Sequence, residues 1–496
     1  MSSHLTRNAF ANMVQMSVGA VLLFVLFRYI NGVLGAAQFG VWSVVLATAS
    51  ASRLANLGLG AGMTRFVARY HALENQQMAA RMVETAAITI AVVLGLVLPA
   101  LYWPLKSLLA HIFSGTHLAE AYSLLPYALL SLWLADIAAV FQSGLEGLQR
   151  MDLRAGVMVA AQVLMLTLAI LLVPIQGLIG LAEAQIAQGI FLLLVGWLIL
   201  RRKLPHLGWI PSRWTRLAFR ELIGYGTNVQ LASLLMLLVD PVTKALMAKF
   251  GGVSAAGYFE MANQVMVKAR ALIVTANQAI IPKVAHIAEL TPHKLADFYI
   301  TNMKILILIA LPVFALLYSW AAPISLILVG HTEPLFIYLM RLTILAGFLN
   351  IFSVPAYFIN MGTGQVGWNT LAHMTMGIVN GVLAWILGTF YGAGGVAWAY
   401  VAAIVSGSWL LVIVFQRRSS VRLWEMALRE NWLLAATCLS VGVLGGRIWV
   451  LMEGFDVLRP AVEFTILPLI LATVVWYHPV RLELWSRFQT LLTRVH

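Results

Sequence analysis

Charged side chains are scarce in this sequence. Asp, Glu, Lys and Arg make up 10% of its 496 residues, against about 25% in soluble globular domains. That shortage excludes a soluble protein of ordinary composition. Cysteine is nearly missing too. Cys438 stands alone in an apolar run, so an intrachain disulfide framework is excluded. No HExxH pair, Walker A lysine loop or Cys/His metal spacing occurs. The histidines are scattered, and His111/His117 and His286/His293 are loop neighbours rather than metal pairs. No enzyme motif, metal or cofactor is expected. Without a nucleotide loop, energy must come from an ion gradient, the membrane potential or the substrate gradient.

Apolar residues, in contrast, make up 61% of the chain, with a mean hydropathy of +0.88. A helix needs about 20 apolar residues to cross a bilayer. Fourteen segments qualify: 9–30, 41–62, 83–104, 122–141, 155–174, 178–200, 222–247, 254–281, 303–329, 335–358, 367–389, 394–416, 431–452 and 460–478. The expected fold is an all-α polytopic membrane protein, one large bundle of 14 transmembrane helices. No cleavable signal peptide is expected, since the first apolar run is full length and lacks a small-residue cleavage site.

The net charge of +13 fits cytoplasmic loop bias and anionic lipid headgroups, not nucleic acid. With the N-terminus in the cytoplasm, the inner loops hold Arg65, Arg69, Arg81, Arg150, Arg154, the run from Arg201 to Arg220, and Arg417 to Arg429. The outer loops hold only Lys106, Lys249 and Arg459. An even helix count places both termini inside. The longest outer loop, about residues 105–121, is too short for the outer domain that an envelope glycosyltransferase or polymerase commonly needs. The longest inner loop runs from Arg201 to Glu221. Its second part, Ser212 to Glu221, and the tail bearing Leu482, Trp485, Phe488 and Leu492 are expected as interfacial helices.

The stretch Leu34–Ala72 recurs 217 residues later without a gap. Gly35 maps to Gly252, Gly40 to Gly257, Arg53 to Arg270 and Val67 to Val284. A duplicated half is a common plan for transporters. It divides the chain into residues 1–210 (helices 1–6), 211–416 (helices 7–12) and 417–496 (helices 13 and 14 with a tail). Within the spans the charges are informative, because they are costly at membrane depth. Arg53, Lys268 and Arg270 lie deep. They are either members of ion pairs with Asp136, Glu183 or Glu260, or the wall of a cationic cavity for an anionic ligand. Arg28 and Lys244 lie near outer helix ends, where snorkelling to the headgroups is the alternative. Asp136, Glu183, Asp240 and Glu260 are the candidates for coupling to H+ or Na+. Asp240-Pro241 reads equally as a hinge or a packing feature. The amides Asn12, Gln15, Asn228, Gln230, Asn263 and Gln264 can contact sugar hydroxyls or glue helices together.

Leu34-Gly35 and Phe39-Gly40, followed by a helix ending in Leu57-Gly58-Leu59-Gly60 and then Arg65, resemble the N-terminal signature of polysaccharide (O-antigen type) flippases. Those belong to the multidrug/oligosaccharidyl-lipid/polysaccharide exporter superfamily. The motif covers about 40 residues and the architecture covers the whole chain. One departure is Asn56, where the family often has an acid. The resemblance implies two six-helix lobes around a central cavity lined by helices 1, 2, 7 and 8, with two extra C-terminal helices. It also implies a polyprenyl-diphosphate-linked oligosaccharide as substrate, flipped to the outer leaflet of the bacterial inner membrane. Arg53, Arg270, Lys268, Arg28, Asn12, Gln15 and Asn228 are then the substrate-binding candidates. Other polysaccharide-assembly proteins are candidate partners. A cation-coupled multidrug exporter is the alternative within the superfamily. Its cationic substrates prefer acidic cavities, against Arg53, Lys268 and Arg270.

Overall fold

The computed structural model describes residues 2–51, 59–278, 281–419, 421, 431–452, 454, 459 and 462–478. Side chains are described from Ala11 on, apart from 59–61, 225–235, 275–278, 281–283, 285, 286 and 292. Among these residues the chain is helical, with no strand. In order the elements are α1 (Ser2–Ser50), α2 (Leu59–Ala72), α3 (Gln76–Ile112), α4 (Gly115–Gly147), α5 (Met151–Gln176), α6 (Leu178–Lys203), α7 (Arg216–Gly251) and α8 (Val253–Gln278). There follow α9 (Ile281–Leu290), α10 (Leu295–Ser319), α11 (Ala321–Leu328), α12 (Pro334–Ile351), α13 (Val354–Gly362), α14 (Gly367–Ser419) and α15 (Trp432–Leu451). A π-helical turn, Val462–Ile466, leads into α16 (Leu467–Trp476).

Helix length and glycine explain how these elements become spans. A straight helix of 49 residues, the length of α1, is roughly 74 Å long. The hydrocarbon core is only about 30 Å thick. Gly35 divides α1 with φ 82° and ψ 165°, a conformation open to glycine and costly for other residues. Gly392 divides the 53 residues of α14 with φ 58° and ψ −138°. Gly252 separates α7 from α8 at φ 86° and ψ 162°, and Gly177 separates α5 from α6 at φ 60° and ψ −133°. Gly35 therefore matches Gly252, and Gly177 matches Gly392. The internal repeat is written in the backbone.

All fourteen apolar segments are mostly helical where they are described, with turns inside 303–329 at Trp320 and inside 335–358 at residues 352–353. Segment 303–329 is carried by α10 and α11, 335–358 by α12 and α13, and 460–478 by the π turn and α16. Residues 52–58, in the second segment, lie outside the described residues. Among the described residues nine helices are long and apolar enough to cross a membrane. Both α1 and α14 count once in that number, while α14 holds two segments and α1 holds the first and the beginning of the second. The helices α7 and α8, which carry Asp240, Lys244, Glu260, Lys268 and Arg270, are not among the nine.

The chain forms two compact units, Met1–Gly257 and Tyr258–His496. In the first, α4, α5 and α6 pack on one another and α1 packs on α4 and α5. There α7 packs on α1, α2 and α3, so compactness places it with the first six spans. The two repeated turns also meet in this unit. A methyl group on Gly40 collides with the Val253 carbonyl, and one on Gly257 lies 2.5 Å from the Ala36 carbonyl oxygen. In the second unit α10 packs on α12 and α15. Leu308, Leu434, Cys438, Val441, Leu467 and Leu471 form the core that fastens α15 and α16 to α10.

The expected surface helix over Ser212–Glu221 is not formed as a separate element. Residues through Thr215 are irregular, and Arg216 begins α7, which continues to Gly251. The cause is a set of side chains on α3 that hold the loop. Buried Glu84 accepts from the backbone N–H groups of Gly208 at 3.0 Å, Ser212 at 3.4 Å and Arg213 at 2.8 Å. Thr85 accepts from the Thr215 N–H, and Trp214 Nε1 donates to Thr89, both at 3.2 Å. The tail from residue 479 lies outside the described residues.

Candidate functional site

The helix α8 brings polar groups into register in the second unit. Asn263 and Gln264 lie three and four residues after Glu260, and Arg270 lies seven, two turns, after Asn263, which places Asn263 and Arg270 on one face with Glu260 beside them. Gln264 Nε2 donates to Glu260 Oε1 at 3.0 Å. The Tyr400 hydroxyl, from the second half of α14, donates to Asn263 Oδ1 at 3.3 Å, and its ring stands edge-on to Phe259. Arg270 Nε is buried and has no hydrogen-bond partner among the described residues. The hydroxyls of Tyr357, on α13, and Tyr400 lie within electrostatic range of its guanidinium. Neither Arg270 nor half-buried Lys268 belongs to an ion pair among the described residues. The polar strip continues through Asn369, whose Nδ2 donates to the Tyr357 carbonyl at 3.1 Å and whose Oδ1 accepts from Asn360 at 3.0 Å. A buried guanidinium without a carboxylate is costly. An oxygen-rich anion is the chemical complement, since Arg donates in a planar fork and the Tyr357 hydroxyl is a further donor on the same side.

The other candidates have different surroundings. Asp240 is ion-paired to Lys244 at 2.6 Å, and the Lys244 side chain is 7% exposed. Snorkelling of Lys244 is therefore wrong. A carboxylate four residues earlier on the same helix holds the ammonium inside. Glu183 on α6 faces the Gln176 amide, whose nitrogen donates to it at 2.9 and 3.3 Å in the orientation that satisfies both groups. Asp136 is buried on α4. Asn12 Nδ2 donates to Met151 Sδ at 3.1 Å and so ties α1 to α5. Gln15 is half-buried and Arg28 exposed. Arg53 and the Asn228 side chain lie outside the described residues. Among the described residues no group of three or more His, Cys, Asp or Glu is arranged for a metal.

Two contacts at loop ends carry clear electrostatics. The Tyr70 hydroxyl donates to both Glu221 oxygens at 3.0 and 3.2 Å. Burial, with that carboxylate second, raises the Tyr70 pKa above its ordinary value. The hydrogen bond from Arg150 to Asp152, at 3.0 Å, raises the Arg150 pKa.

Sequence reasoning missed Tyr357, Tyr400 and Glu84. For Glu84 a signal existed, an acid eight residues into an apolar helix. The two tyrosines gave none beyond a hydroxyl within a span.

These features define a polytopic helical protein with the fold of transporters. The lipid II flippase MurJ in an inward closed conformation matches with a TM-score of 0.70 at 13% identity, over 95% of this chain and 98% of that one. A multidrug resistance MATE family transporter of the MOP superfamily, inward-facing, matches with a TM-score of 0.64 at 18% identity, over 84% and 98%. A MOP superfamily transporter from Pyrococcus furiosus, described as having a binding pocket of reverse polarity, matches with a TM-score of 0.62 at 17% identity, over 84% and 96%. The sequence itself matches the family described as polysaccharide biosynthesis protein over residues 5–288, more than half of the chain, and the protein belongs to that family. No curated protein matched the sequence.

Proposed function

We propose that this protein is a flippase. It moves a polyprenyl-diphosphate-linked oligosaccharide, a polysaccharide or O-antigen precursor, from the inner to the outer leaflet of the bacterial cytoplasmic membrane by alternating access. The observation that supports this most is Arg270, a cation in a span with a buried, unpartnered Nε and two tyrosine hydroxyls nearby. The diphosphate binds there through paired hydrogen bonds, and Lys268 adds attraction. By the sequence repeat, Arg53 is the counterpart of Arg270 and serves the same anion. Coupling runs through H+ or Na+ at a carboxylate among Asp136, Glu183, Asp240 and Glu260. Both termini are cytoplasmic, no enzymatic step is involved, and polysaccharide-assembly proteins are partners.

Depletion of the protein in its host tests this reading. Lipid-linked saccharide is expected to accumulate on the inner leaflet, measured by its protection from an external glycan-modifying reagent. Unchanged lipid-linked saccharide together with loss of cationic drug efflux would sink the proposal in favour of a multidrug exporter, whose fold the MATE structures share.

A further inference from the structure

A second group of polar atoms in the Tyr258–His496 unit is left unsatisfied by its own side chains. Glu463 sits in the π-helical turn and is fully buried. Its Oε2 accepts from Ser319 Oγ at 3.1 Å, and its backbone carbonyl accepts from Trp320 Nε1 at 2.9 Å. Its Oε1 is buried without a hydrogen-bond partner. Arg341, on α12, and Arg459 both lie within electrostatic range of the carboxylate. Neither makes a hydrogen bond or ion pair among the described residues. Arg341 lies over the Tyr318 ring at 5.3 Å, and Arg459 over Trp449 at 3.9 Å. The Nε of each arginine is buried and unpartnered, as is Trp449 Nε1. A methyl group on Gly446 would collide with Arg341 Nη2, so the bare backbone of α15 makes the space for that guanidinium.

Proteins leave few buried polar atoms unsatisfied, and an unplaced water or ion is one explanation of a cluster of exceptions. Here the unpartnered donors are Arg341 Nε, Arg459 Nε and Trp449 Nε1, and the unpartnered acceptor is Glu463 Oε1. Among the described residues two positive charges face one negative charge. Water satisfies hydrogen bonds but leaves the excess positive charge. An anion supplies both acceptors and charge.

We propose that Arg341, Arg459 and Trp449 hold a monoanionic phosphate group, either a phospholipid headgroup or the free anion. Ser319 holds Glu463 beside it, where the carboxylate limits the affinity. Both arginines are partly exposed, so the site opens to the surface. Arg341 is seven residues into α12 and Gly446 five residues from the end of α15. Both are therefore about 8–10 Å from a helix end, a depth that suits a headgroup. The proposal is independent of the transport reading.

The test is native mass spectrometry of the full protein from phosphatidylcholine nanodiscs doped with phosphatidylglycerol. Phosphatidylglycerol is expected to be retained over phosphatidylcholine. The R341Q/R459Q variant should lower that retention about tenfold, the scale of a lost charged hydrogen bond, and R341K/R459K should keep part of it. Glu463→Gln removes the opposing charge and should raise retention. Thermal stabilisation by inorganic phosphate, with no preference for phosphatidylglycerol, would identify the free anion as the ligand. Equal retention of both lipids in all variants, with no phosphate effect, overturns the site and leaves a hydrated ion cluster. So does weaker retention in Glu463→Gln.

Discussion

On the proposed function, Arg270 is a residue at which stability and function pull in opposite directions. It gains no ion pair among the described residues, and its burial is costly. Arg270→Ala is expected to abolish flipping at normal abundance, Arg270→Lys to keep part of it, and Arg270→Glu to abolish it. The alanine variant should also melt no lower than the parent, because no ion pair is lost. Reconstituted flipping and a thermal melt measure the two effects. Normal flipping by the alanine variant, or a large fall in melting temperature, would mark the arginine as structural. Arg270 and Lys268 were legible in the sequence because a charge within an apolar run has few bland explanations. Tyr357 and Tyr400 were not, since their role depends on three helices converging on one guanidinium. The distance of Lys244 from the helix end leaves snorkelling open, and the carboxylate one turn before it decides against it.

Elements that cross the bilayer are legible from local hydrophobicity, and elements held by tertiary hydrogen bonds are not. That is why the fourteen spans emerged from composition while the path of residues 204–215 did not. Glu84 satisfies three amides of that loop at once. Replacing a buried acceptor leaves its donors unpaired, at roughly 1–3 kcal/mol each. Glu84→Ala is expected to lower the melting temperature and to open residues 204–215 to protease, with Glu84→Gln intermediate. Cleavage and melting unchanged from the parent would show that the loop is held otherwise. The π turn at Val462–Ile466 was equally hidden, since its register is tied to Ser319 and Trp320 from a distant helix.

At the scale of the whole molecule, the proposed orientation rests on the positive charges, which favour the cytoplasmic side. Single cysteines at Ser212 and Ser419 should resist an impermeant thiol reagent in intact cells and react after permeabilisation. Labelling of both in intact cells would invert the topology. The repeat has a consequence for every such experiment. Ala36 and Val253, like Gly40 and Gly257, are 217 residues apart, and each glycine faces the other turn's carbonyl. Gly35 and Gly252 adopt nearly one backbone conformation. The chain thus carries its own replicate: a substitution at one turn has a second trial at the other, in a different sequence background. Agreement between the two reports on the shared backbone geometry. Any difference between them measures what the two halves no longer have in common.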